Sequence, residues 1–210
     1  MPNDHYYTQH PTSAHKAGEV SWEYRGFPLT FETDSGVFSR TEIDEGTELL
    51  LRCLPEEMAG TVLDMGCGYG VMGIAIGKAF PGCHVTMSDI NERAVSLSEK
   101  NARRNGVTAR ALQGDGYAAL TGEKFATIVQ NPPIRAGKAV IYSMFRDAAD
   151  CLEEGGALWL VIRKQQGAPS ALTFLQTLYR DATVIEKKHG FWILRCSDPI
   201  RKEGEMPHDL

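Results

Sequence analysis

Three glycines at alternate positions, Gly66, Gly68 and Gly70, follow the apolar stretch Thr61-Val62-Leu63 and precede the apolar run from Val71 to Ile76. A short buried strand must therefore turn sharply into a helix. Glycine enters left-handed backbone without steric cost and leaves main-chain amides open to a ligand. Dinucleotide enzymes place glycines at the same junction, so the pattern alone leaves several ligands open. Asp64, two positions before Gly66, narrows the choice. A carboxylate there repels a pyrophosphate and attracts an ammonium or sulfonium group, by roughly 4 kcal/mol for contact near a protein surface. The ligand this favours is S-adenosylmethionine.

A chain of 210 residues suits one well-cored α/β domain spanning 1–210. Residues 1–20 lack periodicity and read as an irregular arm, with Tyr6 and Tyr7 as its only aromatic pair. Trp22 and Tyr24, then Phe27, Leu29 and Phe31, alternate at period two around Arg25-Gly26, which predicts a hairpin. Asp44 caps a helix reaching about Leu54, completing an N-terminal segment over 21–55.

From 61 to 198 strands and helices alternate, which predicts a Rossmann-like, doubly wound sheet. The expected strands are 61–65, 83–88, 108–113, 125–130 and 157–162, with helices at 70–80, 91–105, 138–153 and from Pro169 to about Tyr179. Gly155-Gly156 is expected to stop the third of these helices. A terminal hairpin, 183–188 with 191–197, turns at His189-Gly190 and brings the last strand in antiparallel.

Right-handed crossovers put every parallel strand's carboxyl end on one edge, where such sheets bind ligands. Asp64, Asp89, Asp115 and Asn131 therefore converge. Asp89 lies at about the spacing from Gly66 at which an acid reaches ribose hydroxyls, while also serving the helix that starts near Asn91. Asp115 suits either an adenine amino group or a tight turn.

Asn131-Pro132-Pro133-Ile134 follows the apolar strand 125–130 directly. Two prolines stiffen the backbone and remove N–H donors, leaving the Asn131 carboxamide oxygen and the Pro132 carbonyl as acceptors at the cleft edge. Acceptors suit an exocyclic amino group, held so that its nitrogen faces a sulfonium methyl. Such a site positions and polarises, and needs no nucleophilic side chain.

The net charge of −5 is weakly unfavourable for a nucleic-acid partner, yet residues 131–202 hold eleven Lys/Arg against seven Asp/Glu. Arg135 and Lys138 after the Asn131 loop, with Lys187, Lys188 and Arg195 on the terminal hairpin, are the candidate RNA contacts. The five cysteines form no Cys-x-x-Cys pair and the six histidines have no ligand spacing, so no metal site is expected. No apolar run spans a bilayer and no signal peptide is visible, which gives a cytoplasmic protein with no membrane contact as the expectation. Oligomeric state is not legible.

These motifs resemble those of class I S-adenosylmethionine-dependent methyltransferases, and specifically the RsmC-like family of small-subunit ribosomal RNA guanine 2-amino methyltransferases. The residues carrying the resemblance are His5-Tyr6-Tyr7, Gly36-Val37-Phe38-Ser39, Leu63 to Gly70, Asp89-Ile90-Asn91 and Asn131 to Lys138. It implies a seven-stranded sheet with an antiparallel last strand, and cofactor contacts at Asp64, Gly66, Gly68, Asp89 and Asp115, with Phe38 near the pocket. Cys67, Gly70, Ile90 and Asn131, from the same motifs, and Gly116 beside Asp115 complete the candidate cofactor set. The implied catalytic group is Asn131, Pro132, Pro133 and Ile134, acting on a guanine 2-amino group in ribosomal RNA. Longer family members carry a further N-terminal domain, and related amino-methylating enzymes often have an aromatic where Ile134 stands. Base stacking must then come from elsewhere or give way to apolar contact. Two other readings share the motifs: methylation of a protein glutamine amide, and a non-catalytic binding module on the same fold.

Overall fold

The computed structural model describes residues 17–37, 39 and 41–200. Tyr6, Tyr7 and Phe38 lie outside the described residues. Strands β1 (Gly18–Tyr24) and β2 (Phe27–Thr33) form the expected hairpin, closed at Arg25 and Gly26, both at positive φ. Pairing runs back to Gly18↔Thr33, so β1 takes up residues 18–20 that the sequence assigned to the arm.

Helix α1 (Glu45–Cys53) follows, capped by Asp44, whose carboxylate accepts from the Thr47 N–H at 2.9 Å. The core then runs β3 (Gly60–Met65), α2 (Val71–Ala79), β4 (Cys83–Asp89), α3 (Glu92–Arg104), β5 (Ala109–Gln113), β6 (Phe125–Gln130), α4 (Lys138–Asp150), β7 (Leu152–Arg163), α5 (Ala168–Leu175), β8 (Tyr179–Lys188) and β9 (Phe191–Pro199). The seven-stranded sheet has the order β5-β4-β3-β6-β7-β9-β8. Strands β3 to β7 are mutually parallel, and β9 is antiparallel to both its neighbours. The strand order reverses between β3 and β6, which places a ligand crevice beyond the ends of those two strands.

Alternation along the central strands sorts the core into two faces. Val62, Val129, Val161 and Ile193 face α1, α2 and the hairpin, while Leu63, Ile128, Leu160 and Leu194 face α4 and α5. Two sequence boundaries move. Gly155 and Gly156 lie inside β7, because α4 ends at Asp150 and Leu152 already pairs with Phe125. The register shifts there, and a Cβ on Gly156 would stand 2.9 Å from the Phe125 carbonyl, so these glycines serve a bulge and not a helix stop. Helix α5 ends at Leu175, and Tyr179 instead opens β8, its fully buried ring donating a hydrogen bond to the Phe145 carbonyl.

The hairpin edge is covered by two asparagines four positions apart, Asn101 in α3 and Asn105 at its C-cap. Asn101 Oδ1 accepts from the Glu32 N–H at 2.7 Å and its Nδ2 donates to the Glu32 carbonyl at 2.9 Å. Asn105 does the same for Thr30, at 3.0 and 2.9 Å. The side-chain amides thus satisfy β2 as a neighbouring strand would. Fully buried Asn101 also donates to the Tyr69 carbonyl at 2.9 Å, tying the hairpin to the glycine turn. Asn101→Ala strands several buried backbone groups and should cost about 2–4 kcal/mol of stability, read as a lower urea midpoint.

Candidate cofactor and acceptor site

At the end of β3 the chain makes the turn its glycines permit. Gly66, Gly68 and Gly70 have φ of 73°, 54° and 95°. A Cβ on Gly70 would come within 2.8 Å of Ile74 Cδ1, whereas Gly66 and Gly68 meet nothing within 4 Å. The first two therefore need glycine for backbone conformation and leave open space above the turn. The Gly66 and Cys67 N–H groups both donate to the Ser88 carbonyl, at 2.8 and 3.0 Å, which anchors the turn to β4.

Asp64 sits beneath this turn, fully buried, and is not among the residues lining the cavity. Its Oδ2 accepts from the Gly73 N–H in the first turn of α2 at 2.8 Å, and its Oδ1 has no partner among the described residues. Burial pushes its carboxyl up to about 7; the Gly73 N–H offsets part of this and the Asp89 charge adds to it. The folded value thus lies above the unfolded one, so Asp64 binds its proton more tightly in the folded state. Its contribution to stability declines as pH rises from about 4 to about 7.

Asp89 ends β4 on the cavity wall. One carboxylate oxygen accepts from the Gly68 N–H at 2.8 Å and the other from the Asn91 N–H at 2.9 Å. Burial raises its pKa against those hydrogen bonds. Ile90, Asp115 and Gly116 line the cavity beside it, as do Gly66, Cys67 and Gly68. Gly70 instead caps α2.

Described residues of the loop after β2 reach the cavity wall. Fully buried Asn91 caps α3 through its oxygen and donates through Nδ2 to the Gly36 carbonyl at 2.9 Å. Arg93 Nη1 donates to the Ser35 carbonyl at 2.8 Å, and the Tyr69 hydroxyl to the Ser39 carbonyl at 3.0 Å. Val37 and Ser39 thereby join the lining. Phe38, expected near the pocket, lies outside the described residues.

Across the switch point, Asn131 leaves β6 into the cavity wall with Pro132, Pro133 and Ile134. Its Nδ2 donates to Asp44 Oδ2 at 3.1 Å and to Thr47 Oγ1 at 3.0 Å. Asp44 is the N-cap of α1 and Thr47 lies in its first turn. The amide is thus oriented by a carboxylate that accepts only, and its Oδ1, with no protein partner among the described residues, is left for a ligand. The Pro133 carbonyl is taken by the Ala136 N–H at 2.8 Å, while no backbone bond among the described residues engages the Pro132 carbonyl.

The cavity holds about 790 Å³, within the range of small-molecule sites. An unpartnered buried carboxylate oxygen under a glycine turn, a second carboxylate on the wall and acceptors opposite fit a ligand with an ammonium, a ribose and a sulfonium. S-adenosylmethionine has all three.

The candidate RNA contacts are not all brought together. Arg135 lines the cavity in a short 3-10 turn. Lys138, the first residue of α4, lies over the Tyr142 ring at 4.9 Å, and Lys187 over Trp192 at 4.0 Å. Lys187 and exposed Lys188 reach the carboxyl edge, since the β8–β9 turn adjoins the end of β7 where Phe191 pairs with Arg163. Arg195 lies away from that edge, paired opposite Trp159 and bonded to Asp181 and Ser197, each at 3.1 Å. Thr47, Arg163, Gln166 and Phe191 also stand in the cavity wall without a local sequence signal, as does Asp44, which in sequence reads only as a helix cap. Among the described residues no group of three or more His, Cys, Asp or Glu could hold a metal, and no helix is long and apolar enough to cross a membrane.

This sheet order, glycine turn and pair of carboxylates define a class I S-adenosylmethionine-dependent methyltransferase. The model of the methyltransferase small domain family matches residues 28–195. The chain is 41% identical over 199 residues to YbxB of Bacillus subtilis, an uncharacterised protein, covering 92% of this chain and 98% of that one. It is 36% identical over 156 residues to ribosomal RNA small subunit methyltransferase C of Pseudoalteromonas atlantica, covering 72% of this chain and 43% of that protein. A solved structure, RsmC of T. thermophilus, a 16S rRNA N2 guanine methyltransferase in complex with AdoMet and guanosine, matches with a TM-score of 0.77 and 27% identity. That match covers 90% of this chain and 52% of RsmC, so the chain spans about half the length of the RsmC proteins it matches. The chain belongs to the methyltransferase small domain family and is RsmC-like within it.

Proposed function

We propose that this protein methylates the exocyclic 2-amino group of a guanine in small-subunit ribosomal RNA. The observation that carries the reading is the Asn131 amide, held through Nδ2 by Asp44 and Thr47 so that Oδ1 faces outward as an acceptor. When bound, S-adenosylmethionine supplies an electrophilic methyl on sulfur.

The chain's own residues do the rest. Asp64 provides negative charge beneath the glycine turn for the cofactor's ammonium, and Asp89 accepts from its ribose. Asn131 Oδ1 and the Pro132 carbonyl would accept the two amino hydrogens, which fixes the nitrogen and increases its electron density while a new N–C bond replaces the methyl's bond to sulfur, whose electron pair stays on the departing thioether. Their effect is largest as positive charge develops on nitrogen. The proton displaced from that nitrogen passes to solvent. Pro133 stiffens the loop, and Ile134 offers apolar contact to the base. Arg135, Lys138, Lys187 and Lys188 ring the same edge and form the phosphate track, so the target guanine must be unpaired or flipped.

Because the ligand's ammonium favours ionised Asp64, affinity for S-adenosylmethionine should fall by up to about tenfold per pH unit below about 7. Titration calorimetry across pH 5–8 reads this, and Asp64→Asn should weaken binding and flatten the profile. The function itself is tested by incubating the protein with methyl-labelled S-adenosylmethionine and either unmodified 16S rRNA or a ribosomal protein mixture. Label in RNA is expected; label in protein alone returns the glutamine-amide reading.

A further inference from the structure

Arg163 ends β7 at the carboxyl edge and lines the cavity shared with Asn131. Its guanidinium carbon lies over the Phe191 ring, 4.1 Å from the ring centre, within cation–π range. Phe191 is itself fixed: it is buried, pairs with Arg163 across the strands, and is pressed by Gly46 of α1, where a Cβ would come within 2.7 Å of the ring. The Lys164 N–H donates to the Gly190 carbonyl at 2.7 Å, holding the β8–β9 turn against the same strand end. Among the described residues the guanidinium of Arg163 has no ion pair and no hydrogen bond; the residue is exposed, so a fork of donors backed by Phe191 stands at the rim of the cavity with its side-chain N–H groups unused.

The two walls are chemically opposite. Around Asn131 they offer acceptors; at Arg163 they offer only donors. Gln130 pairs with Leu160, so Arg163 projects two residues beyond the level of Asn131, about 7 Å along the strand direction. An occupant bridging them must present an amine to one wall and acceptors to the other. Guanine carries its 2-amino group on one edge and the adjacent O6 and N7 acceptors on another, and arginine engages those two acceptors in a bidentate manner. A primary amide, with its nitrogen and oxygen on one carbon, is too short to do both.

Building on the proposed guanine methylation, we infer that Arg163, backed by Phe191, is the residue that selects guanine, by donating to O6 and N7 of the base whose amino group Asn131 holds. This supplies the base recognition that a non-aromatic Ile134 leaves open.

The experiment compares two small-subunit rRNA transcripts, one made with GTP and one with 7-deaza-GTP, which replaces N7 by a carbon and keeps O6 and the 2-amino group. Wild-type protein should methylate the 7-deaza transcript roughly tenfold to a hundredfold less efficiently in kcat/KM. Arg163→Gln should be slow on both and lose that discrimination. Arg163→Lys, which keeps the charge but not the fork, should lose it too. Discrimination that persists in both variants, or a wild type that treats the transcripts alike, overturns the inference and leaves guanine methylation standing. No 2-amino methylation of either transcript overturns the functional reading, and the role of Arg163 with it.

Discussion

Replacing Asn131 by alanine lowers turnover about a hundredfold or more while leaving S-adenosylmethionine affinity nearly unchanged, on the assignment of its Oδ1 to the acceptor amine. The residue is half-buried at the end of β6, and among the described residues its side chain bonds only to Asp44 and Thr47, neither of which belongs to the glycine turn. Truncation therefore removes an acceptor whose hydrogen bond strengthens as the amine becomes cationic, without disturbing Gly66, Gly68 or Asp89. Calorimetry for the cofactor and steady-state methyl transfer for turnover separate the two effects. A mutant keeping most of its turnover would remove Asn131 from the reaction.

The second large effect comes from two residues that need not touch either substrate. Asp44 and Thr47 determine which end of the Asn131 amide faces the cavity. If the amide reversed, a donor would confront the amino group and the site would repel what it should hold. Asp44→Ser keeps a cap for α1 but is too short to reach Asn131, and Thr47→Val is nearly isosteric. Together they should lower kcat by roughly tenfold to a hundredfold with little change in the cofactor's Kd or in the thermal midpoint. Loss of stability in step with activity would make the pair merely structural.

The parts of this site that were legible in sequence are those written in short stretches. The glycine turn, Asp89 at the end of β4, and Asn131-Pro132-Pro133-Ile134 after β6 are each local, and parallel crossovers bring them together whatever the rest of the chain does. What joins distant segments was not legible. Asn131 meets Asp44 and Thr47 across 87 and 84 positions, and Arg163 meets Phe191 only because β9 enters antiparallel beside β7. Asp64 shows a different limit: its charge type could be read, but not that it would sit under the turn with one oxygen bonded to α2 and the other unpartnered. Gly155 and Gly156 mislead because glycines that end helices and glycines that allow a bulge look alike until the partner strand is known.

On the proposed reaction the methyl goes to an amino group of guanine. Nucleoside mass spectrometry of 16S rRNA after incubation with the protein and trideuteromethyl S-adenosylmethionine tests it most directly. Labelled N2-methylguanosine is expected, absent when Asn131→Ala replaces the wild type. Label on adenosine, on cytidine, on a ribose, or nowhere in the RNA would contradict it.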